Sequence, residues 1–203
     1  MVSATASESV CEHVFGADKV RFYECKKARL TGRLHQYYDR SMSRRYIAAN
    51  LNVFDEIKKW SGFMHMITFK KFAELIGCPL YFGNLAGIDY LKGQDMNVVG
   101  TNHYPEFVYK LLPHALGLDF DHCAKMKNIP IIHNDYQFHF MTFEDEILRE
   151  FHLWMVESDL EQAVGRARLL RCDCTVNLFS NFPLQQAIMM EFGYGVTAEQ
   201  RKS

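Results

Sequence analysis

The residues with the most chemical promise lie near the end of the chain. They are Gln162, Gly165 and Arg166, in the run Glu157-Ser158-Asp159-Leu160-Glu161-Gln162-Ala163-Val164-Gly165-Arg166-Ala167-Arg168. Residues four apart share a helix face, so Gln162 and Arg166 project together. Gly165 costs a helix interior roughly 1 kcal/mol relative to alanine, a penalty that makes sense where another molecule approaches the backbone. An amide and a guanidinium beside bare backbone suit a polyphosphate. The arginine fork spans two phosphate oxygens.

Periodicity says which elements must hold these groups. Upstream, residues 142–171 read as a long amphipathic helix with Ile147, Leu148, Phe151, Trp154, Met155, Ala163, Val164, Ala167 and Leu170 on its apolar stripe. Thr142 is its expected N-cap, with Asp145 reaching back. Downstream, residues 174–179 read as a buried strand, and residues 184–192 as a last helix opened by Pro183 and stopped by Gly193. Earlier, strands over 64–69, 79–82 and 96–101 alternate with helices over 70–76 and 107–116, the pattern of an α/β fold with a mainly parallel sheet. Alternating residues on either side of Asn134-Asp135 predict a β-hairpin inside an insertion of about 119–142, serving either as a pin against nucleic acid or as cover for a sheet edge.

Gln162-x-x-Gly165-Arg166 resembles the sixth motif of superfamily 2 helicases and translocases, and the residues around it are similar to helicase-like proteins of phages and mobile elements. The resemblance implies the second, C-terminal RecA-like lobe: a mainly parallel sheet flanked by helices, here with the hairpin inserted. Arg166 would be the arginine finger reaching ATP bound on a first lobe, with Gln162 positioning phosphate or water and Gly165 letting the nucleotide approach. Gly87-Ile88-Asp89 resembles the fifth motif, so Gly87 and Asp89 would contact nucleotide and couple it to nucleic acid, with Asp89 accepting from a ribose or from Arg166. Two departures matter. Leu169 stands where many members carry a second arginine, and Arg168 lies about 200° round a continuing helix from Arg166, so a second finger is not expected. The chain also has no Gly-x-x-x-x-Gly-Lys-[Ser/Thr] and no Asp-Glu pair at the end of a strand suited to hold Mg²⁺ beside it. ATP with Mg²⁺ would therefore be shared with a first lobe bearing that loop, and none is expected on the isolated chain. The implied function is the C-terminal half of an ATP-dependent nucleic-acid motor. The alternative is a non-catalytic regulator or inhibitor that uses a detached lobe to bind nucleic acid or a partner protein.

The expected organisation is a disordered tail over 1–16, a basic and helical extension over 17–62, the RecA-like lobe over 63–195 and a frayed tail over 196–203. The extension holds a strand over 20–25, a basic tract over 26–45 with interleaved aromatics, and a helix over 46–60 closed by Ser61-Gly62. Arg40, Arg44 and Arg45 in that tract, with Thr101 and Asn102 after the strand over 96–101, are the candidate nucleic-acid contacts, DNA or RNA; Thr101 and Asn102 equally suit a helix cap. A net charge of −1 means that any such site is a local patch rather than a global field. The six cysteines are scattered without paired C-x-x-C elements, and Asp119, Asp121, His122 and Cys123 do not make a tetrahedral set, so no metal is expected. No basic leader or long apolar run occurs; the expectation is a cytoplasmic protein without a membrane partner.

Overall fold

A computed structural model of the chain describes residues 6–23, 28–39, 41–63, 65–85, 87 and 89–192. In chain order it contains helix α1 (Glu8–Phe15), strand β1 (Arg33–Tyr37), helices α2 (Arg44–Ala49) and α3 (Val53–Ser61), strand β2 (His65–Ile67), helix α4 (Lys70–Leu75), strand β3 (Met96–Val99) and helix α5 (Glu106–Ala115). Strands β4 (Lys127–His133) and β5 (Tyr136–Thr142), helix α6 (Glu146–Val164) and strands β6 (Thr175–Phe179) and β7 (Ile188–Met190) follow. These elements form two compact units, one of Arg29–Asn102 and Asp159–Ser203, the other of Met1–Ala28 and His103–Ser158.

The first unit is the α/β body. Its five strands are all parallel, in the order β2-β3-β6-β1-β7. Every residue of β3, and all of β6 after Thr175, is buried, as expected of strands covered on both faces. Tyr37 of β1 stacks on Phe179 of β6 at 4.9 Å, and Trp60 of α3 meets the Tyr37 ring edge-on at 4.8 Å. Two glycines are required by close approach. A Cβ on Gly32 would collide with the Cys174 and Cys172 carbonyls, and Gly100, at φ +108°, sits against the Phe69 ring.

The sheet starts earlier than the expected lobe. Residues 33–37, assigned above to an extension, form β1 and lie between β6 and β7. Residues 20–23 of the expected first strand are not in a strand, and 24–25 lie outside the described residues. The strand expected over 79–82 is a single bridge, Thr68 to Tyr81, because Pro79 cannot donate to a ladder and Gly83 turns the chain at φ +88°. The helix expected over 46–60 is broken at Asn50 into α2 and α3, with Gly62 closing α3 in a left-handed conformation as anticipated.

The last expected helix, over 184–192, is instead an extended segment. The chain leaves β6, crosses β1 and returns as β7 on its far side. Gln36 holds this crossover: its Nε2 donates to the Ser180 and Phe182 carbonyls at 2.9 and 2.6 Å, and its Oε1 accepts from the Leu184 N–H at 3.0 Å. Two carbonyls before the segment and the N–H at its start are thereby committed to one buried amide. Tertiary pairing has overridden local propensity.

In the second unit β4 and β5 pair antiparallel about Asn134 (φ +49°) and Asp135 (φ +66°), the two-residue turn the sequence predicts. Ile131 and Phe140 are buried on one face of the ribbon, and Tyr109, Phe120, Phe143 and Leu148 form a further cluster. The first 16 residues do not behave as a tail throughout. Ser7 caps α1 by accepting from Val10, Val10 is buried, and Ser9 is hydrogen-bonded to Glu150. Helix α6 is capped by Asp145, whose Oδ1 accepts from the Leu148 N–H at 2.9 Å. Thr142, the expected cap, ends β5 with its hydroxyl 2.8 Å from His152 Nδ1.

Candidate functional site

The five strands of the large sheet run the same way, so that sheet presents two chemically distinct edges. At the carboxyl edge, β3 runs into Gly100-Thr101-Asn102, β6 into Ser180, and β1 towards Arg44 at the start of α2. Arg44 donates to Asn102 Oδ1 at 2.9 Å, and Asn102 Nδ2 donates to Asp159 of α6 at 2.8 Å. Thr101 and Ser180 hydroxyls are 2.6 Å apart. The Arg44 guanidinium also lies 4.9 Å over the Phe69 ring. Three of the sequence candidates, Arg44, Thr101 and Asn102, are thus brought together. Thr101 and Asn102 are buried, however, so their side chains frame the edge while Arg44 and Arg45 are its exposed cations. Arg40 lies outside the described residues.

Asp159 and Ser180 were not singled out from sequence. Asp159 stands three residues before Gln162 on neighbouring helix positions, a signal available in the spacing. Ser180 follows β6 directly, a place where α/β sheets gather polar ligating groups.

The amino edge holds the other candidates. Helix α6 ends at Val164, and a single 3-10 turn, Gly165–Ala167, follows. Gln162 and Gly165 are exposed, and a Cβ on Gly165 would meet no atom within 4 Å. Gly165 is therefore not explained by packing within the chain. Arg166 is half-buried, and its Nε donates to the Gln162 carbonyl at 3.3 Å, which leaves the two terminal amino groups for another acceptor.

Arg168 departs from expectation. The helix does not continue to it; it adopts φ +60°, ψ +44°, and its N–H donates back to Gly165. From there its guanidinium reaches Asp89 at 3.2 Å. Asp89 is paired with Arg168, not with Arg166. Gly87 has the positive φ expected of it, +72°, in the segment that leads into β3, and Asp89, two residues on, is paired at the amino edge. Arg166 and Asp89 therefore belong to one edge, and Arg44, Thr101 and Asn102 to the other, while Gln162 stands between them, three residues along α6 from the Asp159 that Asn102 contacts.

A second polar centre, in the other unit, was missed altogether. His152 is fully buried between Phe140, Tyr109 and Phe143, with Nδ1 on Thr142 and Nε2 3.3 Å from His103 Nδ1. Burial, then the neighbouring His103, pushes its pKa down to about 3. Among the described residues no group of three or more His, Cys, Asp or Glu could hold a metal ion, and no helix is long and apolar enough to cross a membrane. No family model, curated protein or solved structure matches the chain.

Proposed function

We propose that this chain is the C-terminal half of an ATP-dependent nucleic-acid motor, supplying Arg166 to a nucleotide held by a first lobe with a phosphate-binding loop. The observation that carries the reading is the presentation of Gln162, Gly165 and Arg166. The glycine opens onto free space, and the guanidinium is anchored through Nε at the end of a helix on a parallel α/β sheet. Such a group can be pre-oriented while its terminal nitrogens wait for phosphate oxygens. Gln162, one turn earlier, would orient phosphate or water. Gly87 and Asp89 lie in one loop, with Asp89 paired to Arg168 just beyond the Arg166 turn, where a nucleotide-dependent change could be passed on. Arg44 and Arg45, framed by Thr101 and Asn102, are the reading's nucleic-acid contacts.

The sequence lacks Gly-x-x-x-x-Gly-Lys-[Ser/Thr], and this favours one second reading, a regulator that binds nucleic acid or a partner protein without turnover. Reconstitution separates the two. The purified chain should hydrolyse no ATP with single-stranded nucleic acid present, and turnover should appear when a first lobe is supplied. In that mixture Arg166→Lys should cut turnover by about 10³ while ATP binding stays within a few-fold, because lysine keeps charge but loses the fork. Arg168→Lys should be much milder. Equal mildness of the two, or robust turnover by the chain alone, overturns the half-motor reading; inhibition of a complete motor by the added chain supports the regulator.

A further inference from the structure

The basic tract over 26–45 does not form one surface. Strand β1 runs through it, so Arg29 and Arg33 belong to the amino edge of the sheet and Arg44 and Arg45 to the carboxyl edge. At the amino edge three segments are stitched together by backbone hydrogen bonds. Thr31 and Gly32 donate to the Leu169 carbonyl at 2.9 Å, Gly93 donates to Ala167 at 3.0 Å, and Arg33 donates to Cys174 at 2.9 Å. Over residues 28–33, 89–95 and 165–175 these segments carry six Lys or Arg against three Asp, in a chain whose net charge is −1. Arg29, Arg33, Lys92, Arg168 and Arg171 are all exposed.

The three carboxylates are placed differently from the cations. Asp89 faces Arg168, Asp173 is 3.9 Å from Arg33, and Asp95 accepts from the Thr175 N–H at 2.6 Å. Asp95 and Asp173, with His65, Gly93 and Gln94, line an open hollow of about 340 Å³ at the start of β2, β3 and β6. Tyr90, 54% exposed, meets His65 edge-on near that hollow. A cationic rim around a hollow with carboxylate and amide acceptors and an exposed aromatic is not the pattern for a free phosphate. It fits a polymer that is anionic along its backbone and carries flat groups with amino donors.

We propose that the amino edge of this sheet is a binding surface for single-stranded nucleic acid: backbone phosphates lie on Arg29, Lys92 and Arg171, and an unstacked base enters the hollow beside Tyr90. Duplex is a poorer ligand, since its bases are not available to the hollow. The surface is separate from the carboxyl-edge arginines and does not depend on Arg166 acting on ATP.

The test is fluorescence anisotropy of the full chain with a labelled mixed-sequence single strand of about twenty nucleotides, as DNA and as RNA, without nucleotide, between about 50 and 200 mM salt. The triple variant R29Q/K92Q/R171Q should bind at least about tenfold more weakly at the low-salt end and reduce the salt slope by about two. The equal-charge control K59Q/K70Q/K71Q, on α3 and α4, should stay within about threefold of the parent. Tyr90→Ala should cost about tenfold, and an abasic strand of the same length should lose as much against the parent. All substituted side chains are exposed, and matched melting temperatures would establish that the variants fold. Equal weakening by the two triple variants, absence of binding by the parent at low salt, or equal affinity for the abasic strand each overturns the proposal. A preference between the DNA and RNA arms identifies the strand. Because no ATP is present, failure here leaves the Arg166 reading standing, and failure of that reading leaves this surface standing.

Discussion

The two units of the chain place polar groups in dry interiors by different means. Among the described residues of the sheet unit the buried polar side chains are amides and hydroxyls: Gln36, Thr68, Asn97, Thr101, Asn102, Asn177 and Ser180. Each is matched to a neutral partner or to the edge network; Thr68 donates to the Val99 carbonyl at 2.9 Å, for example, and Asn177 to Asn97 at 3.2 Å. The hairpin unit relies instead on His152, an imidazole that takes a proton as pH falls. Amides and hydroxyls cannot change charge in the physiological range. Acid should therefore act on the hairpin unit before the sheet unit.

The largest expected effect follows from that contrast. His152 has its pKa lowered to about 3 in the fold, against 6.5 unfolded. A depressed pKa means that the unfolded chain binds more protons between those values. The stabilisation is thus complete above pH 6.5 and is lost as pH falls through that window. At about 1.4 kcal/mol per unit the loss is on the order of 4 kcal/mol by pH 3 to 4. Amide hydrogen exchange at pH 7 and pH 4.5 should show protection falling first in β4, β5, α5 and the first part of α6, while β1, β3 and β6 hold. His152→Leu should flatten this pH dependence even though it lowers stability at pH 7 by removing a partner of Thr142. Parallel loss in both units would break the comparison.

The complementary test strikes the sheet unit. Gln36→Leu keeps volume but leaves the Ser180 and Phe182 carbonyls and the Leu184 N–H buried without their partner. Each such group costs roughly 1–3 kcal/mol, partly recovered by relaxation of the crossover, so a loss of about 2–4 kcal/mol is expected. The loss should be the same at pH 7 and pH 5, because no titrating group is involved. Chemical denaturation at the two pH values checks it, and a pH-dependent loss would argue against a neutral polar core.

What was legible in the sequence divides along similar lines. The α/β class, the strands over 96–99 and 175–179, α4, α5 and the Asn134-Asp135 hairpin could all be read, because each rests on local periodicity or on a turn with a stated backbone requirement. The parts that were misread depend on partners distant in sequence. Nothing local in Ile188-Met189-Met190 requires a strand; Gln36 and the free side of β1 impose it. The α1 segment looked like a polar tail because its burial comes from contacts with residues near 150. Helix α6 was placed well, but its end was not, since the 3-10 turn and the left-handed Arg168 are held by Gly93 and Asp89 from elsewhere. Hence Arg166 was identifiable as a candidate, whereas the partner of Asp89 and the division of the basic tract between two edges were not.

The smallest predicted effect concerns the hairpin turn. Glu157 of α6 accepts from Asn134 Nδ2 at 2.9 Å and lies 3.2 Å from His133 Nε2, with His133 and Glu157 only 20% and 24% exposed. Both turn residues already occupy the left-handed region, so the turn forms from its own preferences, and Glu157 serves to fix its tip to the helix. Removing that carboxylate should cost little globally, about 1 kcal/mol, since the hydrogen bond from Asn134 and the part-exposed contact with the His133 ring are each modest. Its effect should be local: in Glu157→Ala, exchange at the amides of 132–137 should accelerate several-fold while α5 and the sheet unit are unchanged. Glu157→Gln tells the two contributions apart, because it keeps an acceptor for Asn134 and gives up the charge facing His133. Recovery of most of the protection in Glu157→Gln assigns the tether to the hydrogen bond. If Glu157→Ala instead destabilises the whole unit as much as acid does, the hairpin is part of the cooperative core around His152, and the contrast between a pH-sensitive centre and a locally tethered tip must be abandoned.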